Sequence, residues 1–168
     1  SWYDWKLDRA ARELMVFTQR LVGLRKNHPI LRRRRFFQGR RIHGSEVKDI
    51  SWLRPDGQGM TDEDWNKGSV RSLMLRLAGD AMAETDKKGR AIVDDTLLIL
   101  LNAHHTPLPF TLPAHKRGVR WQQLLDTDAR GVSPKHVTVL KGGERYEVEA
   151  RSVRVLRLRP AGSTRRDL

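Results

Sequence analysis

The stretch that decides the fold is Thr96-Leu97-Leu98-Ile99-Leu100-Leu101, where five apolar residues follow one another without a polar interruption. Side chains of a strand point alternately to the two faces of a sheet, so such a run is fully buried only when both faces are covered. The run is much shorter than the roughly 18 apolar residues that a membrane span needs. It therefore predicts the central strand of a β-sandwich with antiparallel sheets.

Short β-rich runs bounded by Gly, Pro, Asn or Asp recur on both sides of this stretch. Two of them, at 70–77 and 153–159, alternate apolar and polar residues, which is typical of strands with one solvated face. The loops at 56–69 and 79–94 are polar and long, and no second helix is predicted after Pro29. The predicted strands are 34–38, 50–54, 70–77, 96–102, 110–112, 119–125, 136–140, 145–148 and 152–158.

A helix is predicted upstream of the β-rich part, over residues 8–27. Asp8 can cap its start, and the His28-Pro29 step ends it because a residue before proline favours extended backbone. The apolar residues cover more than the narrow stripe that one sheet contact requires, so the helix is expected to self-associate when part of this surface is left open. They include Ala11, Leu14, Met15, Phe17, Leu21, Val22 and Leu24.

Composition limits the class of protein. The 168 residues suit one ordinary domain, and 33 basic against 20 acidic residues give a net charge of +13 that is spread over both halves. The one basic run, 32–35, is followed by Phe36 and Phe37 and is interpreted as the start of a strand. A dispersed charge favours a solvated surface over a specific nucleic-acid partner, and because no apolar run is long enough for a membrane span, no membrane partner is expected. The absence of cysteine fits a cytoplasmic protein, and the missing initiator Met suggests a fragment.

Motifs that carry chemistry are weak. No phosphate-binding glycine loop or serine-nucleophile motif is present, and the acidic stretch 56–64 lacks the spacing of a calcium loop. His104 and His105 are neighbours whose side chains would diverge on a strand, which suits a loop at the strand end better than a metal site. The acids near 62–64, 94–95 and 147–149 are more simply solvated or turn-forming. We therefore expect no cofactor, no metal and no catalytic residue in this chain.

The N-terminal segment concentrates aromatic rings. Trp2, Tyr3 and Trp5 surround Asp4, a composition that suits stacking on sugar rings while a carboxylate holds hydroxyl groups. The alternative is that these rings pack against the following helix or against a neighbouring domain. Trp52 and Trp65 are interpreted as core or loop anchors.

Three segments carry a resemblance to a known family. They are SWYDW at 1–5, LVGLRKNHPILRRRRFFQG at 21–39 and DISWLRPDGQGMTDEDWN at 49–66. Together they resemble the C-terminal part of bacterial glycogen debranching enzymes and isoamylases of the α-amylase superfamily. VLRLRP at 155–160 is similar to the last strand of the family's C-terminal domain.

The resemblance implies a division into domains and a function. Residues 1–31 would be the remnant of a catalytic (β/α)8 barrel with its last helix, residues 32–160 an all-β sandwich, and residues 161–168 a flexible tail. The parent enzyme would hydrolyse α-1,6 branch linkages of glycogen by a retaining mechanism, with an Asp nucleophile, a Glu acid/base and a second Asp, all upstream. Trp2, Asp4 and Trp5 match the family's SW-x-DW segment and are the candidate substrate-binding residues.

Two other functions remain open at this point. An independent carbohydrate-binding module would present a coplanar, solvent-facing pair among Trp52, Trp65 and Trp121. A basic nucleic-acid-binding domain would join the run at 32–35 to other basic residues in one stripe. The expected partners of the chain are the upstream barrel and, through the parent enzyme, glycogen or another branched α-glucan.

Overall fold

The computed structural model describes residue 2 and residues 5–39, 47–82, 84–115, 118–128 and 138–160. A helix, α1, spans Arg9–Asn27 and is followed by a short 3-10 turn over Pro29–Arg32. The strands are β1 (Ile50–Leu53), β2 (Ser72–Leu77), β3 (Leu97–Asn102), β4 (Leu108–Thr111), β5 (Val119–Asp126), β6 (Val139–Lys141), β7 (Arg145–Val148) and β8 (Ser152–Pro160). A second helix, α2 (Asp62–Asn66), lies between β1 and β2.

The described strands form two antiparallel sheets. Six of them pair in the order β1-β2-β3-β8-β5-β6, and β4 pairs with β7 in a smaller sheet. The predicted fold class, mainly β with antiparallel sheets after an N-terminal helix, is confirmed. Among the described residues, no helix combines the length and the hydrophobicity that crossing a lipid bilayer requires.

The strand β3 lies inside the large sheet, between β2 and β8, as predicted. Leu98 and Leu100 face one core, which they share with residues of the small sheet. Leu97 faces the opposite core, where Ile30 from the 3-10 turn packs. Both faces of β3 are therefore covered, which is why its sequence shows no polar alternation.

The helix α1 begins and ends as its sequence predicts. The Asp8 side chain accepts a hydrogen bond from the Ala11 amide at 2.7 Å, and His28 takes an extended conformation before Pro29. No residue of α1 is buried, however. The 3-10 turn that follows α1 supplies Ile30 to the core, and much of the apolar surface of α1 stays exposed in this chain.

The predicted strand at 34–38 is wrong. The backbone amides of this segment donate hydrogen bonds to side-chain carboxylates instead of to a neighbouring strand. Glu84 Oε1 accepts from the amides of Arg34 and Arg35, and Asp49 accepts from those of Gln38 and Gly39. The segment is therefore held in an irregular conformation that an apolar pattern cannot signal.

Smaller differences have local causes. The loop at 56–69 contains α2, and the loop at 79–94, although its sequence is polar, buries Met82. The strand β4 starts at Leu108, two residues before the predicted start at residue 110. Proline is tolerated at position 109 because β4 pairs with β7 alone and its other edge is open. Residues 136–137 of the strand predicted at 136–140 and the expected tail 161–168 lie outside the described residues.

Candidate functional site

The predicted substrate-binding residues lie at the start of the chain, before α1. Trp2 and Trp5 are almost fully exposed, and Asp4 lies outside the described residues. Exposure of two indole rings leaves them available for a ligand or for another protein surface. Their predicted role in binding substrate stays a prediction.

An apolar groove of about 500 Å³ runs along α1 from Trp5. Its lining is mostly aliphatic, and Leu14 in the middle of it is 65% exposed. Apolar surface gathered in this way on a helix is typical of a protein interaction site. The other lining residues are Leu7, Ala11, Met15, Thr18, Gln19 and Val22.

A polar cluster, the His28–Asp94 clamp, joins the end of α1 to the β-domain. Nδ1 of His28 lies 3.0 Å from Oδ1 of Asp94, and both side chains are more than nine-tenths buried. The backbone amides of Ile30 and Asp95 donate to the same carboxylate at 3.0 and 2.7 Å. The clamp therefore fixes the position at which the helical segment meets the sheet.

The electrostatics of the clamp favour an ionised carboxylate. Burial raises the pKa of Asp94, but hydrogen bonds from the His28 ring and from the Ile30 and Asp95 amides outweigh it, and the net pKa lies below its usual value. The ionised form of Asp94 is thus the one that the fold stabilises.

The clamp also has the geometry of a metal site. The ligand atoms of His28, Asp94 and Asp95 lie within 4.8 Å of one another. However, Asp95 lies 3.6 Å from the Arg157 guanidinium and 3.8 Å from that of Arg159, so two cations already face it. We therefore interpret the cluster as structural. The sequence pattern did not indicate this cluster, because His28 and Asp94 are 66 residues apart.

Two further tryptophans meet at the edge of the large sheet. The ring centroids of Trp52, on β1, and Trp65, on α2, are 5.4 Å apart with an angle of 79° between the ring planes. They are 40% and 51% exposed, whereas Trp121 is fully buried and donates its indole N–H to the Pro113 carbonyl. We call Trp52 and Trp65 the tryptophan corner. The rings are solvent-facing but not coplanar, so they do not form the flat platform that the binding-module alternative required.

The helix α2 holds one side of the tryptophan corner in place. Thr61 and Asp64 form a reciprocal capping box, and Nη1 of Arg54 lies 3.5 Å from the Asp64 carboxylate. The Met60 amide donates to the Trp52 carbonyl at 2.9 Å, which ties the loop to β1. The sequence signal for α2 was Thr61-x-x-Asp64, a variant of the capping-box pattern.

The two neighbouring histidines lie in a turn after β3, as the loop interpretation predicted. Their rings stack with centroids 4.2 Å apart, and His104 Nδ1 lies 2.8 Å from the Thr106 hydroxyl. The expected divergence of the two side chains applies to a strand and fails here because β3 ends at Asn102. Neither histidine belongs to the one group of described residues that meets the geometry of a metal site.

The fold and the site define a class of protein: an antiparallel β-domain that carries an uncovered helix at its N-terminal side and tryptophans at its surface. Residues 49–157 match the family model of the isoamylase C-terminal domain. The chain therefore belongs to the isoamylase C-terminal domain family, and the predicted resemblance is confirmed.

Curated relatives extend the similarity to the helix. The chain is 41% identical over 159 residues to the glycogen operon protein GlgX homolog of Mycobacterium tuberculosis, covering 94% of this chain and 22% of that protein. It is 24% identical over 163 residues to an isoamylase of Flavobacterium, covering 93% and 20% of the two chains. A glycogen debranching enzyme of Yersinia pseudotuberculosis is 32% identical over 78 residues, which are 46% and 11% of the two chains. The chain thus spans about a fifth of the length of the first two relatives.

Proposed function

We propose that this chain is the C-terminal part of a glycogen debranching enzyme that hydrolyses α-1,6 branch linkages in glycogen or a related glucan. The observation that carries the proposal is α1, a 19-residue helix with no buried residue, in a chain similar over 94% of its length to a much larger glycogen operon protein. A long helix with an open apolar side needs a partner surface, and an upstream domain would supply it.

The chemistry of the parent enzyme belongs upstream. A retaining glycosidase needs two carboxyl groups about 5–5.5 Å apart, one as nucleophile and one as acid/base, in a pocket that holds the sugar. Within the described residues, the neighbouring acids Asp94 and Asp95 are held by His28, backbone amides and two arginines. Carboxylates held in this way are poorly placed to act on a glycosidic oxygen, and in this proposal the role of the chain is structural.

In this proposal the division between the domains runs near residue 31, with residues 1–31 ending the barrel and residues 32–160 forming the β-domain. Ile30 lies on the upstream side of this division, yet it packs in the core with Leu77 and Leu97. Together with the His28–Asp94 clamp, Ile30 would transmit the position of the barrel helix to the sheet. Trp2, Asp4 and Trp5 would contact glucan from the barrel side, and the cysteine-free chain suits an enzyme of the cytoplasm.

The test measures reducing ends released from a branched glucan. We expect no release by this chain alone and release by the same chain extended upstream by its barrel, because only the longer protein holds the carboxylates. Release by this chain that disappears in Asp4→Asn would contradict the proposal, since it would place a catalytic carboxylate in the N-terminal segment. An inactive longer protein that is folded would contradict the assignment to debranching enzymes.

A further inference from the structure

We propose that the tryptophan corner binds a linear segment of α-glucan, apart from any catalytic site. The inference rests on the proposed function for the identity of the sugar. It adds a binding surface on the β-domain itself, built by Trp52 of β1 and Trp65 of α2.

The first observation is the exposure of the two rings. Trp52 and Trp65 remain 40% and 51% exposed although they touch each other. Removing apolar aromatic surface from water is favourable, and part of the surface of both rings is still in contact with water. A ligand that covers the two rings would therefore be bound with this favourable free energy. The perpendicular arrangement provides an inside corner, in which a pyranose ring can stack on one indole while its rim contacts the other.

The second observation is that the corner is built before any ligand arrives. The capping box of Thr61 and Asp64 fixes the start of α2, and the Arg54–Asp64 ion pair joins that start to the strand end. The Trp52 carbonyl is held by the Met60 amide. Rings that are already positioned lose little conformational entropy on binding, which favours recognition of a weakly interacting neutral sugar.

The third observation is the charge beside the rings. The first turn of α2 carries Asp62, Glu63 and Asp64. Asp64 is buried and paired with Arg54 and Lys67, whereas Asp62 and Glu63 are exposed, and Asp62 lies one helical turn before Trp65. Carboxylates accept hydrogen bonds from sugar hydroxyl groups, whereas they would repel the phosphates of a nucleic acid stacked on the same rings. The groove along α1 has a different character, since it is lined mostly by aliphatic residues that suit a protein partner. A neutral polyhydroxyl chain is therefore the occupant that fits the tryptophan corner.

The experiment is affinity electrophoresis of this chain in native gels that contain glycogen or a linear α-1,4-glucan. We expect both glucans to retard the chain, and Trp65→Ala to weaken the apparent affinity by about threefold or more, the effect of losing one aromatic contact. Trp65→Phe, which keeps a ring, should retain most of the affinity. Phe36→Ala is the matched control, because it removes another exposed aromatic ring that lies outside the corner and outside the predicted substrate-binding residues.

Several results would overturn the inference. They are no retardation of the unaltered chain, equal retardation of the Trp65→Ala variant, or an equal loss with Phe36→Ala. An effect of Trp65→Ala in this chain that vanishes in the longer protein would also contradict it, because the barrel would then cover the corner. A separate experiment tests the proposed function, which would fail if the longer protein did not hydrolyse branched glucan. Retardation of this chain that depends on Trp65 would still support the inference in that case.

Discussion

The helix α1 and the strand β3 are both rich in large apolar residues, yet they differ in how far those residues are buried. Four of the six residues of β3 are buried, whereas none of the 19 residues of α1 is. Residues of the same chain cover both faces of the strand, whereas they leave most of the helix exposed. An apolar pattern thus predicts that a surface will be buried, but it does not indicate whether the same chain or another domain buries it.

The largest effect is expected in β3. Leu98→Ala should lower the free energy of unfolding by about 2–5 kcal/mol, because Leu98 is fully buried among residues of both sheets and truncation leaves a cavity. Urea unfolding followed by tryptophan fluorescence measures the change. Ile99→Ala, at a less buried position of the same strand, should cost less. A midpoint for Leu98→Ala that equals that of the unaltered chain would contradict the central position of β3.

A charged residue in α1 should change association and leave the stability of the fold nearly unaltered. We expect the chain to self-associate through the groove of α1, and Leu14→Glu to make it monomeric, because the carboxylate would have to be buried between two helices. Light scattering coupled to size exclusion measures the mass. Leu14 is exposed in the single chain, so the free energy of unfolding should shift by only about 0.5 kcal/mol. A chain that is already monomeric at high concentration would refute self-association.

The clamp between the two regions should show in the pH dependence of stability. The folded pKa of Asp94 lies below its unfolded value of 3.8, so its contribution is present above that value and is lost as the pH falls through the folded pKa. Unfolding by urea between pH 6 and 3, compared with Asp94→Asn, measures this loss. We expect a shallower decline in the variant. Parallel pH curves for the two proteins would contradict a lowered pKa of Asp94 in the folded chain.

The smallest effect is expected for nucleic acids. The excess of basic residues is dispersed, so binding to oligonucleotides should be non-specific, with dissociation constants of roughly 10⁻⁴–10⁻⁶ M at physiological salt, and should weaken steeply as salt rises. Fluorescence anisotropy with duplex and single-stranded probes measures it. Tight binding with a strong preference for one sequence would revive the nucleic-acid alternative.

The sequence predicted the elements whose signals are local. Asp8 and Pro29 marked the ends of α1, and the uninterrupted run in β3 marked the centre of the sheet. It could not predict the conformation of residues 34–39, because the decisive partners, Asp49 and Glu84, are supplied by distant segments. The strand prediction there counted β-favouring residues and had no information on where their amides would bond.

The candidate sites show the same limit. Trp2, Asp4 and Trp5 were singled out because they are adjacent in sequence, whereas the corner of Trp52 and Trp65 forms only when the loop at 56–61 folds back on β1. The wide apolar surface of α1 was predictable from its periodicity. The clamp was not, because neither a lone histidine nor a pair of aspartates carries a distinctive pattern.

The claim that α1 is a docking surface for an upstream domain can be tested by measuring how fast a single introduced cysteine on the helix is alkylated. The chain contains no cysteine, so Leu14→Cys places one reporter in the groove, and Arg20→Cys places a control on the opposite side of the helix. Peptide mass spectrometry reads alkylation at either position, with the chain kept dilute enough to be monomeric. We predict fast labelling of both positions in this chain, and strong protection of position 14 but not of position 20 in the chain extended upstream. Equally fast labelling of position 14 in the two proteins would contradict the claim.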